Sequence, residues 1–156
     1  MALLDELKGL GVEASSSADV LEKASRDASL FVLKPEVVVY PKNAAEVGKV
    51  VQFVTDKKKA DIKSHISITP RAAGTCMSGG PLTSSVVLDT TKYLNTFGGL
   101  EGMSAWVEPG MYFRDFDKET KKQNLELPSY TASRELCAVG GMVGNNAGGE
   151  KNLKYG

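Results

Sequence analysis

The sequence lacks most of the features that place a small protein in a functional class at first sight. Its 156 residues include one histidine and two cysteines, Cys76 and Cys137, and Lys plus Arg equals Asp plus Glu at 19 each. Two cysteines are too few for a disulfide scaffold or a paired-cysteine zinc site, so we expect a reducing, cytoplasmic location and no metal. A zero net charge removes the long-range field that attracts nucleic acids and anionic membranes. We therefore expect no polyanionic partner.

Long apolar runs are also missing. Residues 1–13 mix acidic and apolar positions and have neither the basic start nor the small-residue cleavage site of a signal peptide. The sequence therefore predicts no signal peptide and no transmembrane segment. A composition of 42% hydrophobic and 24% charged residues is ordinary for a globular protein, and the length fits one domain.

Hydrophobic spacing predicts an alternation of helices and short strands. Residues 1–34 are predicted as a helical lead-in, with helices over 2–11 and 17–27 and a capping box that begins at Ser16. The main domain follows over 35–156. Its predicted helices cover 43–59 and 111–124, and its predicted strands cover 37–40, 65–70, 84–90 and 104–110. The first strand, the helix after it and the second strand make a βαβ unit, for which we predict parallel pairing.

Half of the 16 glycines lie in two windows, residues 74–80 and 140–149, which we call the first and second glycine loops. Glycine allows positive φ and has no Cβ, so main-chain N–H groups in such loops can face an anion such as a phosphate. A structural turn explains any one of these loops equally well. The spacing fits neither the Rossmann fingerprint nor the P-loop, which disfavours a nicotinamide Rossmann domain and a P-loop ATPase.

The residues around the loops carry a family resemblance. "PRAAGTCMSGG" is similar to the Pro-Arg-Gly-x-Gly-Thr-x-x-x-Gly-Gly segment of FAD-linked oxidases. Further elements of these enzymes are matched in order by "ASRDASLF", "KPEVVVYPKNAAEVGKVV", "VEPGMYFRDF" and "LPSYTASRELCAVGGMVGNNAGGEKNLKYG". The chain thus resembles the vanillyl-alcohol oxidase superfamily with its PCMH-type FAD-binding domain. The best likeness is to the flavin subunit of glycolate oxidase and to D-lactate dehydrogenases, over roughly residues 25 to 156.

The resemblance implies an α+β fold in which FAD lies between an α/β subdomain and a partial subdomain of antiparallel strands. The pyrophosphate loop would consist of Arg71, Ala72, Ala73, Gly74, Thr75, Cys76, Met77, Ser78 and Gly79. The flavin ring and ribityl chain would contact Pro128, Thr131, Ala132, Ser133, Val139, Gly140, Gly141, Asn145, Asn146, Ala147 and Gly148. Ala72 departs from the glycine that is common in the family.

The resemblance also implies a function, the oxidation of a 2-hydroxy acid of the glycolate or D-lactate class by hydride transfer to flavin N5. An electron-acceptor subunit would be a partner. FAD would be bound non-covalently, because tethered relatives have histidine where Thr75 stands. Further strands and a substrate cap domain would follow Gly156, so the chain alone would be inactive. Catalytic residues stay unassigned, and two alternatives stay open: a module that binds FAD or another nucleotide without turnover, and a structural domain with empty loops.

Single residues with reactive or aromatic side chains have ordinary explanations. His65 is predicted to be a solvated loop residue, and Cys76 and Cys137 to be small neutral fillers. Arg71 would lie either beside the pyrophosphate or in solvent at the end of a strand. Aromatic residues at strand and helix spacing are predicted to pack in the core, namely Trp106, Tyr112, Phe113 and Phe116.

Overall fold

The computed structural model describes residues 2–155, and each predicted helix and strand has a counterpart in it. The helices are α1 (Leu3–Gly9), α2 (Ala18–Ala24), α3 (Ala44–Ala60), α4 (Phe113–Lys121), α5 (Val139–Gly144) and α6 (Asn152–Tyr155). The strands are β1 (Glu13–Ser15), β2 (Val37–Tyr40), β3 (Ile68–Arg71), β4 (Val86–Asp89), β5 (Phe97–Glu101) and β6 (Ser104–Val107). Of these elements, β1, β5, α5 and α6 were not predicted. Within these residues, no helix combines the length and the apolar character needed to cross a bilayer.

The larger half of the molecule is a four-stranded sheet with the order β1-β2-β4-β3. Strands β2 and β3 both run parallel to β4, which lies between them, so their predicted parallel direction is confirmed and their predicted pairing with each other is wrong. Val86, Val87 and Leu88 of β4 are all buried, which suits a strand covered on both faces. Strand β3 contains Pro70, which cannot donate to a ladder, and it occupies the edge.

Helices cover both faces of this sheet. Val37 and Val39 of β2 point to the face packed by α1 and α3, where Leu7 and Val50 complete the larger core. Val38 points to the opposite face and packs against Leu21 and Ala24 of α2. The alternation follows from the two-residue period of a strand. A layer of helices on each side therefore shields the side chains of β2 and β4 from solvent.

The first residues contribute a strand as well as helices. Strand β1 was not predicted, and it pairs antiparallel with β2 through residues 13–15. Three residues are too few for a hydrophobic period to show in the sequence. The N-cap of α2 is Ser17 without a side-chain cap bond, so the predicted capping box at Ser16 is wrong. The Asn43 cap of α3 is confirmed, because its Oδ1 accepts a hydrogen bond from the N–H of Glu46 at 3.0 Å.

The smaller half is built on the antiparallel hairpin of β5 and β6, packed against α4 and α5. Phe113 and Phe116 are buried as predicted, and the ring of Phe97 meets that of Phe116 edge-on at 6.1 Å. Trp106 is 72% exposed, so its predicted core position is wrong. Its neighbours Ala105 and Val107 take the inward positions of the strand, which leaves Trp106 on the outer face.

A close contact at Gly110 joins the two halves. Its N–H donates to the carbonyl of Leu94 at 2.7 Å, and a Cβ at this position would lie 2.0 Å from the carbonyl oxygen of Thr90. Only glycine allows the two backbones to approach so closely. The predicted α+β class, an α/β half followed by a half with antiparallel strands, is confirmed.

Candidate functional site

A cleft of about 320 Å³ lies between the two halves of the molecule. It opens where β3 and β4 end, at Arg71 and Thr90, which is the edge of a parallel sheet at which ligands generally bind. The opposite wall comes from α5 and the turn that precedes it. Predicted contact residues from both glycine loops and from the segments just before them meet here: Arg71, Ala72, Ala73, Gly74, Thr75, Cys76, Thr131, Ser133, Gly140, Gly141, Asn145 and Ala147.

The remaining predicted contact residues lie outside the cleft lining. They are Met77, Ser78, Gly79, Pro128, Ala132, Val139, Asn146 and Gly148. Sequence reasoning missed a third group that does line the cleft: Pro70, Gly80, Pro81, Thr90, Pro109, Cys137, Ala138, Met142 and Gly144. Pro109 belongs to the "VEPG" segment that carried the resemblance, so that motif could have identified it. Thr90 gives no comparable signal, because only the fold brings the end of β4 to this edge.

Residues 72–76, which line the cleft, have main-chain N–H groups without a main-chain acceptor among the described residues, whereas the amides of Ser78 and Gly80 bond to the thiol of Cys76. Among residues 2–155, no main-chain carbonyl accepts a hydrogen bond from any amide of residues 72–80. Gly74 and Gly79 have φ of 73° and 78°, a left-handed conformation that reverses the chain and that glycine adopts without strain. A cleft wall with unpaired amides is a receptor for anionic oxygen atoms.

Arg71 does not extend into solvent. Its Nη2 donates to the carbonyl of Arg26 at 2.7 Å and its Nη1 to that of Ala24 at 3.4 Å. Burial lowers the pKa of the guanidinium, and the negative charges of Asp89 and Asp27 oppose that effect. The Arg71 side chain is therefore bonded to the segment that precedes β2 and does not extend into solvent, and Arg71 also lines the cleft.

Cys76 is the reactive side chain of the cleft wall. Its Sγ lies 3.2 Å from the hydroxyl oxygen of Ser78. This hydrogen bond, supported by the amides of Ser78 and Gly80 and by the side chain of Asn145, lowers the pKa of the thiol. Cys137, by contrast, is 3% exposed and packs in the smaller core, as a small filler does.

The second glycine loop is fixed by main-chain pairing to the segment before α4. The N–H of Gly140 donates to the carbonyl of Pro109 at 2.8 Å, and that of Val139 to Met111 at 2.9 Å. A Cβ at Gly140 would lie 2.6 Å from Cβ of Pro109, so glycine is required there by packing. At Gly141 the nearest atom would be Cβ of Ala72 at 3.7 Å, across the cleft. Gly141 therefore keeps the cleft open.

Polar but uncharged groups complete the far wall. The hydroxyl of Thr131 lies 3.2 Å from that of Ser133 and 3.4 Å from Sγ of Cys137. No carboxylate or imidazole lines the cleft in the described part of the chain, and His65 lies elsewhere on an exposed loop. Residues 2–155 contain no cluster of His, Cys, Asp and Glu that could hold a metal ion. The cleft can bind an anionic ligand through amides and hydroxyls, without a built-in carboxylate or imidazole base.

Curated proteins of similar sequence are oxidoreductases. The chain is 26% identical to D-2-hydroxyglutarate dehydrogenase of Escherichia coli, over 94% of this chain and 14% of that protein. It is 28% identical to glycolate oxidase subunit GlcD of Bacillus subtilis, over 78% of this chain and 25% of that protein. It is 32% identical to D-lactate dehydrogenase of Archaeoglobus fulgidus, over 77% of this chain and 26% of that protein. The chain thus spans about a quarter or less of these relatives.

The fold has solved counterparts. The structure of alkyldihydroxyacetonephosphate synthase superposes on 97% of this chain and 30% of its own with a TM-score of 0.79, at 20% sequence identity. This agreement confirms the PCMH-type FAD-binding fold. Residues 35–156 match the family described as FAD binding domain, which covers most of the chain. The chain therefore belongs to this family of FAD-binding domains, within the superfamily that its sequence resembled.

Proposed function

We propose that this chain is the FAD-binding domain of a flavin-dependent oxidoreductase that oxidises a 2-hydroxy acid. The observation that carries the proposal is the cleft with unpaired amides on one wall and hydroxyl groups on the other. The relatives named for D-2-hydroxyglutarate, glycolate and D-lactate support the substrate class, because all three are 2-hydroxy acids. When bound, FAD supplies a two-electron acceptor for converting the alcohol to a ketone or aldehyde.

The residues present fit this cofactor. The pyrophosphate of FAD is an anion, and the amides of residues 72–76, which line the cleft, are donors without main-chain acceptors among residues 2–155. Gly74 gives the loop its reversal, and Gly141 leaves room on the facing wall. Thr131, Ser133 and Asn145 provide hydroxyl and amide groups suited to ribityl oxygens and ring edges. We assign the first loop to the pyrophosphate and the second to the flavin and ribityl chain.

This domain holds the cofactor and does not itself supply a carboxylate or imidazole base. Among the described residues, the ionisable side chains of its cleft lining are Arg71, Cys76 and Cys137, and Arg71 is bonded to main-chain carbonyls. Removal of the hydroxyl proton from a 2-hydroxy acid needs a base within hydrogen-bonding distance. This observation favours a second candidate function, a module that binds FAD without turnover in this chain. An electron-acceptor subunit is a further proposal, supported by the relative that is named as a subunit.

Flavin reduction separates the two functions. The chain would be titrated with FAD and then mixed anaerobically with D-lactate, glycolate or D-2-hydroxyglutarate, with L-lactate as the stereochemical control. The same test would be run on the natural protein that contains this domain. We expect FAD binding by both, and loss of visible flavin absorbance with a D-hydroxy acid in the natural protein. Flavin that stays oxidised with every hydroxy acid in both proteins would exclude the oxidoreductase function and leave the binding module.

We further propose that FAD is held without a covalent bond. Thr75 occupies the loop position at which a histidine could form a link to the flavin, and its hydroxyl is a poor nucleophile without an adjacent base. Acid precipitation of the loaded protein should release all of the yellow colour into the supernatant. Colour that remains in the washed pellet would contradict this proposal.

A further inference from the structure

The first glycine loop is held in shape by residues that precede the matched domain. The family match begins at residue 35, yet the segment 24–31, which we call the brace, contacts the loop at three points. The loop has no main-chain hydrogen bonds of its own from the amides of 72–80 to carbonyls of residues 2–155. Its conformation therefore depends on contacts from outside.

Arg71 forms the first contact. The loop folds back beneath its guanidinium so closely that a Cβ on Gly74 would lie 2.3 Å from Nη2. The same guanidinium donates to the carbonyls of Ala24 and Arg26 in the brace. A single planar side chain thus connects the brace to the point at which the loop reverses. Five fixed N–H donors make arginine suited to such a bridge.

The other two contacts lie further along the loop. The N–H of Ala28 donates to the carbonyl of Cys76 at 3.1 Å. The ring of Phe31 covers Gly79, where an added Cβ would lie 3.0 Å from Cδ2 of Phe31. These contacts fix the middle and the end of the loop. Cys76 lines the cleft, so the carbonyl that Ala28 binds belongs to a residue of the cofactor wall.

The brace is itself rigid. Oδ1 of Asp27 accepts hydrogen bonds from the N–H of Ser29 at 2.8 Å and from its hydroxyl at 2.5 Å. The hydroxyl oxygen of Ser29 accepts one from the N–H of Phe31 at 3.1 Å. The N–H of Leu33 donates to the carbonyl of Ser25 at 3.0 Å and closes the turn. The "SRDAS" residues of the sequence resemblance thus have a local structural purpose.

We propose that the brace, acting through Arg71 and Phe31, is a positioning element that holds the amides of the first glycine loop ready for the pyrophosphate of FAD. This inference rests on the proposed cofactor site. It assigns Arg71 a role through the loop, by donors directed at main-chain carbonyls, in place of a direct contact with the phosphate. Asp27 sets the conformation of the brace through the two hydrogen bonds that its Oδ1 accepts from Ser29.

The test replaces Arg71 and measures two quantities, the affinity for FAD and, in the flavin-free chain, the loop exchange, by which we mean the hydrogen exchange of the two amides that are bonded to loop carbonyls, Ala28 to Cys76 and Leu82 to Gly79. In Arg71→Met we expect this loop exchange to speed up and FAD affinity to fall at least roughly tenfold, because hydrogen bonds from a charged donor are lost. Exchange in β2 and β4 should not change. Arg71→Lys should recover part of the affinity, since it retains one donor. Arg26→Met is the charge-matched control, because the bond from Arg71 uses the main-chain carbonyl of Arg26, whose side chain pairs with exposed Glu22.

Phe31 provides a second variant that leaves the core intact. Phe31 is 63% exposed and contacts the loop, whereas its neighbour Leu30 is fully exposed. Phe31→Ala should weaken FAD binding severalfold and speed exchange of the Leu82 amide, which is bonded to the carbonyl of Gly79, and Leu30→Ala should do neither. Equal FAD affinities for Phe31→Ala and Leu30→Ala, together with unchanged loop exchange in Arg71→Met, would overturn the proposed role of the brace.

Failure of the brace and failure of the cofactor site give different results. Faster loop exchange with unchanged FAD affinity would show that the brace holds the loop for another purpose and would overturn the inference. A bulky substitution at Gly141 tests the facing wall independently. If that substitution also leaves FAD affinity unchanged, the proposed site itself is wrong. If only the Gly141 change weakens binding, the site stands and the brace fails.

Discussion

The two glycine loops look alike in the sequence and differ in the structure. In the first loop, the amides of residues 72–80 find no main-chain acceptor among residues 2–155, and two of the glycines have positive φ. In the second loop, the amides of Gly140, Gly141 and Met142 all donate to main-chain carbonyls. In the first loop, glycine permits the left-handed backbone conformation of Gly74 and Gly79, and in the second loop it permits close packing of Gly140 against Pro109. Glycine content alone does not reveal which loop receives an anion.

The second loop also contains two kinds of glycine side by side. Gly140 has no space for a Cβ against Pro109, whereas Gly141 has ordinary contact distance to Ala72 across the cleft. Both residues belong to α5, so their backbones are helical. One maintains the fold and the other maintains the cleft. Substitution of Gly140 should therefore affect the stability of the fold, and substitution of its neighbour Gly141 should affect ligand binding.

The largest effect is expected from Gly140→Ala. The new Cβ would overlap Pro109, and overpacking of this kind costs about 2 to 3 kcal/mol. For a chain of this size, that lowers Tm by roughly 4 to 12 °C. Gly141→Ala is the matched control and should be neutral or stabilising by up to about 1 kcal/mol, because alanine favours a helix over glycine. Thermal unfolding of the flavin-free variants measures both, and equal Tm values would contradict the assignment of Gly140.

The second-largest effect is expected on FAD binding when Gly141 is replaced by a large residue. Gly141→Leu should weaken FAD binding at least roughly tenfold, because the side chain would occupy space between the two walls. Its Tm should stay near that of the parent chain. Lys58→Ala is the control, since Lys58 is exposed and its Nζ contacts only the carbonyl of Ser64 at 2.9 Å. Fluorescence titration with FAD gives the affinities. Parent-like binding by Gly141→Leu would remove the second loop from the cofactor site.

Motifs and hydrophobic spacing predicted much of the fold, and tertiary packing decided the rest. The cap at Asn43, the buried run 37–39 and the aromatic face of α4 follow local rules and were correct. Hydrophobic spacing did not predict the position of β4 between β2 and β3, although Pro70 in β3 is typical of an edge strand. Trp106 faces outward because Ala105 and Val107 fill the inner positions, a choice that depends on the register of the hairpin.

The candidate site shows the same division. The resemblance placed both loops at one cofactor, and the structure brings twelve of the twenty predicted residues to one cleft. The sequence could not show that Arg71 turns toward Ala24 and Arg26, because those carbonyls lie more than forty residues earlier in the chain. Nor could it show that Thr90 and Pro109 complete the wall. Such contacts arise from the packing of distant segments and leave no local pattern.

The smallest expected effect returns to the first loop and concerns its one thiol. Hydrogen bonds from Ser78, from main-chain amides and from Asn145 lower the pKa of Cys76 from the ordinary value for cysteine of about 8.5. All of these donors except Asn145 belong to the loop that we assign to the pyrophosphate. A thiolate there would compete for the same amides and repel the phosphate charge. FAD binding should therefore favour the protonated thiol and raise its pKa in the complex.

The sign of the pH dependence follows from this linkage. Because the complex binds the Cys76 proton more tightly than the free chain does, FAD affinity should fall as pH rises through the pKa of the free thiol. Between about pH 6 and pH 9 we expect a loss of roughly two- to fivefold, the size of one charge repulsion in a solvated cleft. Arg71 stays protonated over this range and contributes no slope. Cys76→Ser keeps a small polar group that does not titrate, so its affinity should be flat with pH. A parent chain as flat as Cys76→Ser, measured by the same FAD titrations, would show that the thiol lies too far from the bound phosphates to matter.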